Sequence, residues 1–254
     1  MEPMDNACRA RLRALLGSTL HAVGLVVSTL IWGMLSLFTW PLPYDLRYRF
    51  ITQWIRFNLW WLQVTCGIDH HVEGLTGLPS GPAIVMSKHQ STWETIGLET
   101  LFRPQTWVMK RELLWLPIFG WALRLLEPIA IDRGGHADAA RKVIRQGAER
   151  LGQGRWVLIY PEGTRVPPGR KGRYHATGAL LAIRTGAPII PVAHNAGEFW
   201  GRHQLVKKPG TIQVRIGPPI DPEGKNRQEI MALVESWIET EMLRIQGEKS
   251  AESA

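Results

Sequence analysis

From Leu15 to Pro43 the chain carries no formal charge: LLGSTLHAVGLVVSTLIWGMLSLFTWPLP. Such a run exceeds the roughly 20 residues that cross a bilayer core. A secretory leader has a shorter apolar region, about 7–15 residues, and ends in small residues. This run ends in FTWPLPY, which argues against cleavage. Arg9, Arg11 and Arg13 precede it, and Arg47 and Arg49 follow it. A second apolar stretch, FITQWIRFNLWWLQVTCGI, spans Phe50 to Ile68 and carries Arg56. Arginines at both ends of the first segment give no clean orientation for a single crossing. A helical hairpin dipping into one leaflet, hinged around PLPYD, puts both basic flanks on one face and Trp and Tyr at headgroup level. The expectation is this monotopic hairpin, with one or two true crossings as the alternative.

After residue 70 the pattern changes to short apolar, β-branched runs alternating with longer helical periods. Strands are predicted at 82–87 (PAIVMS), 106–110 (TWVMK), 127–132 (EPIAID), 155–160 (RWVLIY), 187–193 (APIIPVA) and 211–217 (TIQVRIG). Helices are predicted at about 93–102, 112–125, 137–152, 174–185 and 222–245. In the last, Ile230, Val234, Trp237, Ile238 and Met242 form one apolar stripe, read as core packing. Strand–helix alternation argues for an α/β fold with its site at strand ends. The expected organisation is membrane-associating helices over residues 1–68, an α/β domain over 69–248 and a disordered tail over 249–254.

Composition narrows this picture only in part. The 254 residues suit one sizeable core with an appendage. A net charge of +8 favours polyanions, whether nucleic acid, anionic headgroups or phosphorylated substrates. Its basic residues form no dense cluster and match no nucleic-acid module, so that partner is set aside. Twelve Trp suit a membrane interface or a large apolar core. Cys8 and Cys66 have no metal spacing and read as free thiols.

Candidate chemistry begins at KHQSTWET, Lys88 to Thr95. His89 falls in the turn after a predicted strand, where a histidine can act as general base near neutral pH. Glu94 could fix its tautomer and stabilise the imidazolium. The same residues also fit a capping box, with Ser91 as N-cap and Glu94 reaching back to the backbone. Five positions on one helix lie about 140° apart, so a pair needs His89 in the turn and Glu94 in the first helical turn. Both readings stand on these residues alone. YPEGTR, Tyr160 to Arg165, follows another strand: Pro161 stops it, Gly163 permits a tight turn, and Arg165 offers a donor fork suited to phosphate. Lys110, Arg111 and Arg133 stand near strand ends and could converge on one anion or be dispersed surface charge. Arg170, Lys171 and Arg173 add a basic loop, with a solvated role as open as a substrate role. There is no nucleophile elbow, Walker loop, dinucleotide fingerprint or zinc spacing, and His70 and His71 are adjacent rather than a ligand pair. Direct transfer without a metal, a nucleotide site or a covalent serine intermediate is expected.

Four blocks in order carry a resemblance. HQSTWE looks like a His-x4-acid motif, KRELLWLPIFGW with IAIDR like a second block, YPEGTR like F-P-E-G-T-R, and APIIPVA like a fourth. Over about residues 82–195 the chain resembles the bacterial 1-acyl-sn-glycerol-3-phosphate acyltransferases of the glycerolipid acyltransferase family. The resemblance implies a mixed sheet flanked by helices. It implies transfer of an acyl group from an acyl carrier protein or coenzyme A thioester to the sn-2 hydroxyl of lysophosphatidic acid, giving phosphatidic acid, with no cofactor beyond the co-substrate. His89 would be the general base and Glu94 its orienting carboxylate. Lys110, Arg133, Glu162, Gly163, Thr164 and Arg165 would line the glycerol-phosphate site, and Pro191 would shape the acyl pocket. The enzyme would sit on the inner membrane with its site facing the cytoplasm. Three positions depart from the pattern: Glu94 replaces the usual Asp, Glu127 stands where the second block has glycine, and a lysine usual after the third block is absent from YHATG. Alternatives are another lyso-lipid acceptor, or a non-catalytic membrane-binding protein of the same fold.

Overall fold

The computed structural model describes residues 6–132 and 136–252. A seven-stranded sheet forms the centre, made of β1 (Ile68–Glu73), β2 (Ile84–Ser87), β3 (Gln105–Lys110), β4 (Ile129–Ile131), β5 (Trp156–Ile159), β6 (Ile189–His194) and β7 (Gly210–Ile216). Its order is β1-β7-β6-β2-β5-β3-β4. All neighbours are parallel except β6 and β7, so the sheet is mixed. Every predicted strand is present. β1 joins them at the sheet edge, pairing Ile68 with Gly210.

The central strands are apolar throughout because both faces are covered. On β2, Ile84 and Met86 face one core while Val85 faces the other, as the two-residue pleat requires. The first core is completed by α5 (His136–Gly152), α6 (Thr177–Thr185) and α8 (Arg227–Glu252). The stripe on α8 packs there: Ile230, Val234, Ile238 and Met242 are buried and Trp237 partly so. Helix α8 continues through residues 249–252, which the sequence assigned to the tail. The second core is covered by α2 (Tyr44–Cys66) through Ile51, Ile55 and Leu62.

Two predicted helices are broken. Residues 93–102 form α3 (Glu94–Gly97) and a 3-10 turn, Leu98–Thr100. Residues 112–125 form a 3-10 turn, Arg111–Trp115, and α4 (Phe119–Arg124). Between them Pro117 and the left-handed Ile118, φ 64°, interrupt the helix. A short α7 (Ala196–Phe199) follows β6.

Helix α1 (Asn6–Leu37) packs along α2. Asn58 donates to Ser28 Oγ at 3.2 Å, Trp54 Nε1 donates to the same oxygen at 3.2 Å, and Trp32 Nε1 donates to the Phe50 carbonyl at 3.0 Å. Gly24 leaves room for the Trp61 indole, which an added Cβ would strike. The far side of α1 exposes Leu16, Leu20, Val23, Val27 and Ile31. Over Ala7–Leu37 its mean hydropathy reaches 1.8, so by length and composition it is the one helix among the described residues able to cross a membrane.

Candidate active site

The chain order of the sheet explains how the site assembles. β2, β5 and β3 are adjacent and parallel, so their C-terminal ends lie side by side. His89 leaves β2, Tyr160–Arg165 leaves β5 and Lys110 ends β3. Arg133 would leave β4, the next strand, but lies outside the described residues.

His89 is held from several sides. Its Nδ1 is 2.8 Å from Glu94 Oε1, its backbone N–H donates to Glu162 Oε2 at 3.0 Å, and its carbonyl accepts the Val166 N–H at 2.8 Å. The imidazole stacks on Tyr160 with centroids 4.0 Å apart. An ionised carboxylate only accepts, so Nδ1 carries the proton and Nε2 is the basic nitrogen.

One oxygen of Glu94 makes the contacts that both readings of its motif require. Oε1 also accepts the N–H groups of Gln90 at 2.9 Å and Ser91 at 2.8 Å. Ser91 Oγ accepts the Trp93 N–H at 3.0 Å, closing the cap from the other side. Burial alone would push this fully buried carboxyl up. The His89 hydrogen bond, the fields of His194 and His89 and the Ser91 N–H outweigh it and hold the group below the usual carboxylate range.

A cavity of about 920 Å³ opens beside His89 and runs to α1, past Trp107, Ile55 and Trp32. Lys110, Gly163, Thr164 and Arg165 line it together with Glu162. Gly163 has φ 64°, a backbone that suits glycine and swings the following residues toward the cavity. Arg165 has a buried Nε without a hydrogen-bond partner among the described residues. Arg202, from the loop after α7, reaches the same rim, with Nη1 3.5 Å from Thr164 Oγ1 and from the Arg165 carbonyl. Among the described residues no ion pair joins Lys110, Arg165 or Arg202 to a carboxylate, so the rim is a net positive, anion-ready edge.

Some expected residues stand elsewhere. Glu162 lines the cavity, but its side chain is fully buried and its oxygens are occupied by Lys88 Nζ at 2.8 Å, the His89 N–H and the Gly172 N–H at 3.0 Å. Arg111 turns to solvent, 3.9 Å from Asp132 and over the Trp115 ring. The loop of Arg170, Lys171 and Arg173 is tied to α8 by a 2.5 Å Lys171–Glu235 pair. Pro191 is internal to β6, where its carbonyl accepts the Gly217 N–H at 2.9 Å, and it does not line the cavity. Sequence reasoning missed Lys88 and Arg202. The only sequence signal for Lys88 was its place between a buried strand and the base.

Glu127 shows how a departure from the pattern is accommodated. It has φ 52°, the left-handed backbone for which glycine is the usual choice. A non-glycine residue there costs about 1 kcal/mol or more. Its carboxylate meets Arg155 at 2.9 Å, Arg47 at 3.1 Å and Arg150 at 3.5 Å. Partial burial works to raise its pKa, but these guanidinium groups prevail and hold it low.

A buried histidine–carboxylate pair, an apolar cavity and a cationic rim stand together at the parallel strand ends of an α/β fold, an arrangement suited to group transfer on amphiphiles. Residues 69–195 match the acyltransferase family. A 1-acyl-sn-glycerol-3-phosphate acyltransferase of Pseudomonas aeruginosa is 47% identical over 226 residues, covering 87% of this chain and 88% of that protein. The alpha form of Homo sapiens is 31% identical over 189 residues, 71% of this chain and 65% of that one. The crystal structure of the 1-acyl-sn-glycerophosphate (LPA) acyltransferase PlsC of Thermotoga maritima superposes with a TM-score of 0.77 at 23% identity, covering 93% of this chain and 98% of that one, a likeness of fold. The chain belongs to the 1-acyl-sn-glycerol-3-phosphate acyltransferase family, and it is an acyl-transferring enzyme.

Proposed function

We propose that the enzyme moves an acyl group from a thioester, carried by acyl carrier protein or coenzyme A, to the sn-2 hydroxyl of 1-acyl-sn-glycerol-3-phosphate. The observation that carries this is the 2.8 Å His89–Glu94 contact beside an apolar cavity whose lining includes the cations Lys110, Arg165 and Arg202. His89 Nε2 takes the hydroxyl proton as the oxygen bonds to the thioester carbonyl carbon. The tetrahedral oxyanion then collapses, the C–S bond breaks, and the thiolate takes the proton from the imidazolium. A thioester is activated enough for a base to suffice without an acyl-enzyme. Glu94 holds the Nδ1 proton and stabilises the imidazolium while it lasts. Arg165, Lys110 and Arg202 receive the acceptor phosphate, with Arg133 assigned to the same role from its place in the motif. Gly163 and Thr164 shape that rim, and Glu162 holds the His89 backbone.

The N-terminal 68 residues serve as the membrane attachment, with α1 and α2 as a hairpin seated in the cytoplasmic leaflet of the inner membrane. Residues 69–248 form the catalytic unit facing the cytoplasm. The exposed apolar side of α1 and its basic flanks support this. The test is a panel of lyso-lipid acceptors and both donor types, run on wild type beside His89→Ala. Lysophosphatidic acid is expected as the best acceptor, with His89→Ala losing at least about 10³-fold in kcat. Faster turnover of a lyso-lipid without a phosphomonoester would reassign the acceptor, and an active His89→Ala would overturn the mechanism.

A further inference from the structure

Lys88 directly precedes the base, and its side chain is 1% exposed. Its ammonium donates to Glu162 Oε1 at 2.8 Å, to Glu239 Oε1 at 2.9 Å and to the Arg170 carbonyl at 3.2 Å. Glu239 belongs to α8, 151 residues further along the chain. Its Oε1 also accepts the Tyr174 hydroxyl at 2.8 Å. Stability alone does not explain this arrangement, because a buried ion pair rarely outdoes apolar packing of the same volume. What the arrangement does supply is a fixed geometry. Ile238 and Val234 lock α8 onto the sheet, so Glu239 is presented from a rigid support. From there the contacts run through Lys88 to Glu162 Oε1, and Glu162 Oε2 accepts the His89 N–H at 3.0 Å. Glu162 Oε1 also accepts the Gly172 N–H, so the basic loop is tied to the same point.

We propose that Glu239 is a positioning residue for acyl transfer: from α8 it fixes Lys88 and Glu162, and through them the backbone of the His89 base. Without its charge, the Lys88–Glu162 pair loses its outer anchor, and the turn carrying His89 is free to shift. Misplacement by about 1 Å can cost a base-catalysed step about 10²-fold; a partial loosening, with Tyr174 and Glu162 still in place, should cost about tenfold. The inference rests on His89 acting as base.

The test uses the full chain in detergent–lipid mixed micelles with lysophosphatidic acid and the better of the two thioester donors. Glu239→Gln, Tyr174→Phe and His89→Ala are compared with wild type. Glu239→Gln is expected to lower kcat about tenfold with the acceptor KM unchanged within about twofold. It should also enlarge the solvent deuterium isotope effect on kcat, because a displaced base slows proton transfer relative to the other steps. Tyr174→Phe, which keeps the ion pair, should change both in the same direction by a smaller factor. A merely structural role would lower the active fraction and leave the isotope effect at its wild-type value, and that result overturns the proposal. So does a wild-type kcat in Glu239→Gln. If Glu239→Gln fails to fold, Tyr174→Phe decides by the same isotope effect. An active His89→Ala would sink the base itself, whereas an inactive His89→Ala beside an unaffected Glu239→Gln sinks only the role of α8.

Discussion

One oxygen of Glu94 accepts three hydrogen bonds, from His89 Nδ1 and from the N–H groups of Gln90 and Ser91. The other, Oε2, is buried with no hydrogen-bond partner among the described residues. The proposed catalytic role and the capping role therefore share an atom, and substitutions separate them. Glutamine keeps a carbonyl oxygen that can accept the same three bonds, so the cap survives while the charge is lost. Glu94→Gln should lower kcat by about 10²-fold or more, with a modest fall in thermal midpoint because the charge that the fold favours is lost. Aspartate keeps the charge but is one methylene shorter and cannot hold the imidazole and both N–H groups as well, so Glu94→Asp should keep partial activity. Steady-state rates and melting curves of the two variants check this: if the glutamine variant is as active as wild type, the charge has no role and only the cap remains. His89, Glu94 and Arg165 were legible in the sequence because short motifs place them at strand ends. Lys88 and Arg202 were not, because their partners come from distant elements, α8 for one and the third block for the other.

Element boundaries follow the same logic of local and distant causes. The strands over 82–87, 155–160 and 187–193 read clearly because a strand covered on both faces is a continuous apolar run. β1, with the sequence IDHHVE, buries Ile68, half-buries His70 and Val72 and exposes Asp69, His71 and Glu73, and only pairing with β7 makes it a strand. Another junction escaped the sequence altogether: Tyr48 of α2 donates to Glu99 in the turn after α3 and accepts the β3 N–H of Gln105 at 2.8 Å. Burial pushes the Glu99 carboxyl up to about 7, against the pull of the Tyr48 hydrogen bond and of Arg103 and Arg56. The unfolded carboxyl ionises near 4.5. Between these values the folded chain keeps a proton that the unfolded chain has lost. Stability should therefore be full below about pH 4.5 and fall as pH rises toward 7, by about 3 kcal/mol from this group. Glu99→Gln keeps an acceptor for Tyr48 and does not titrate, so it should flatten that part of the curve. Unfolding midpoints in mild detergent from pH 4.5 to 8 decide the point, since parallel curves for the two proteins would remove Glu99 as the cause.

At the scale of the whole molecule, the cavity, the cationic rim and the apolar helix form one continuous arrangement. The cavity beside His89 is also lined by Trp32 and Gly33 of α1, the helix whose far side exposes a broad apolar surface. On the proposed reading, a lipid acceptor keeps its chain among apolar groups while its phosphate meets Arg165 and Arg202. Charge and apolar surface make separable contributions to seating the protein on a bilayer. The net charge is +8, and Arg9, Arg11 and Arg13 are exposed at the start of α1, beside exposed Leu12, Leu15 and Leu16. Each basic residue near an anionic surface contributes about 1 kcal/mol, an attraction that salt screens within about 10 Å at 0.1 M. The apolar part is insensitive to salt on this scale. Replacing the three arginines by glutamine should thus weaken partitioning onto vesicles containing phosphatidylglycerol by about 10²-fold at low salt, and leave binding to phosphatidylcholine vesicles nearly unchanged. Flotation of wild type and the triple variant, at 0.05 and 0.5 M salt, measures both parts. High salt should bring the two proteins together on anionic vesicles at the level set by α1. Equal partitioning at low salt would mean that the arginines do not face the lipid, and the orientation of α1 proposed from its exposed side would have to be reversed.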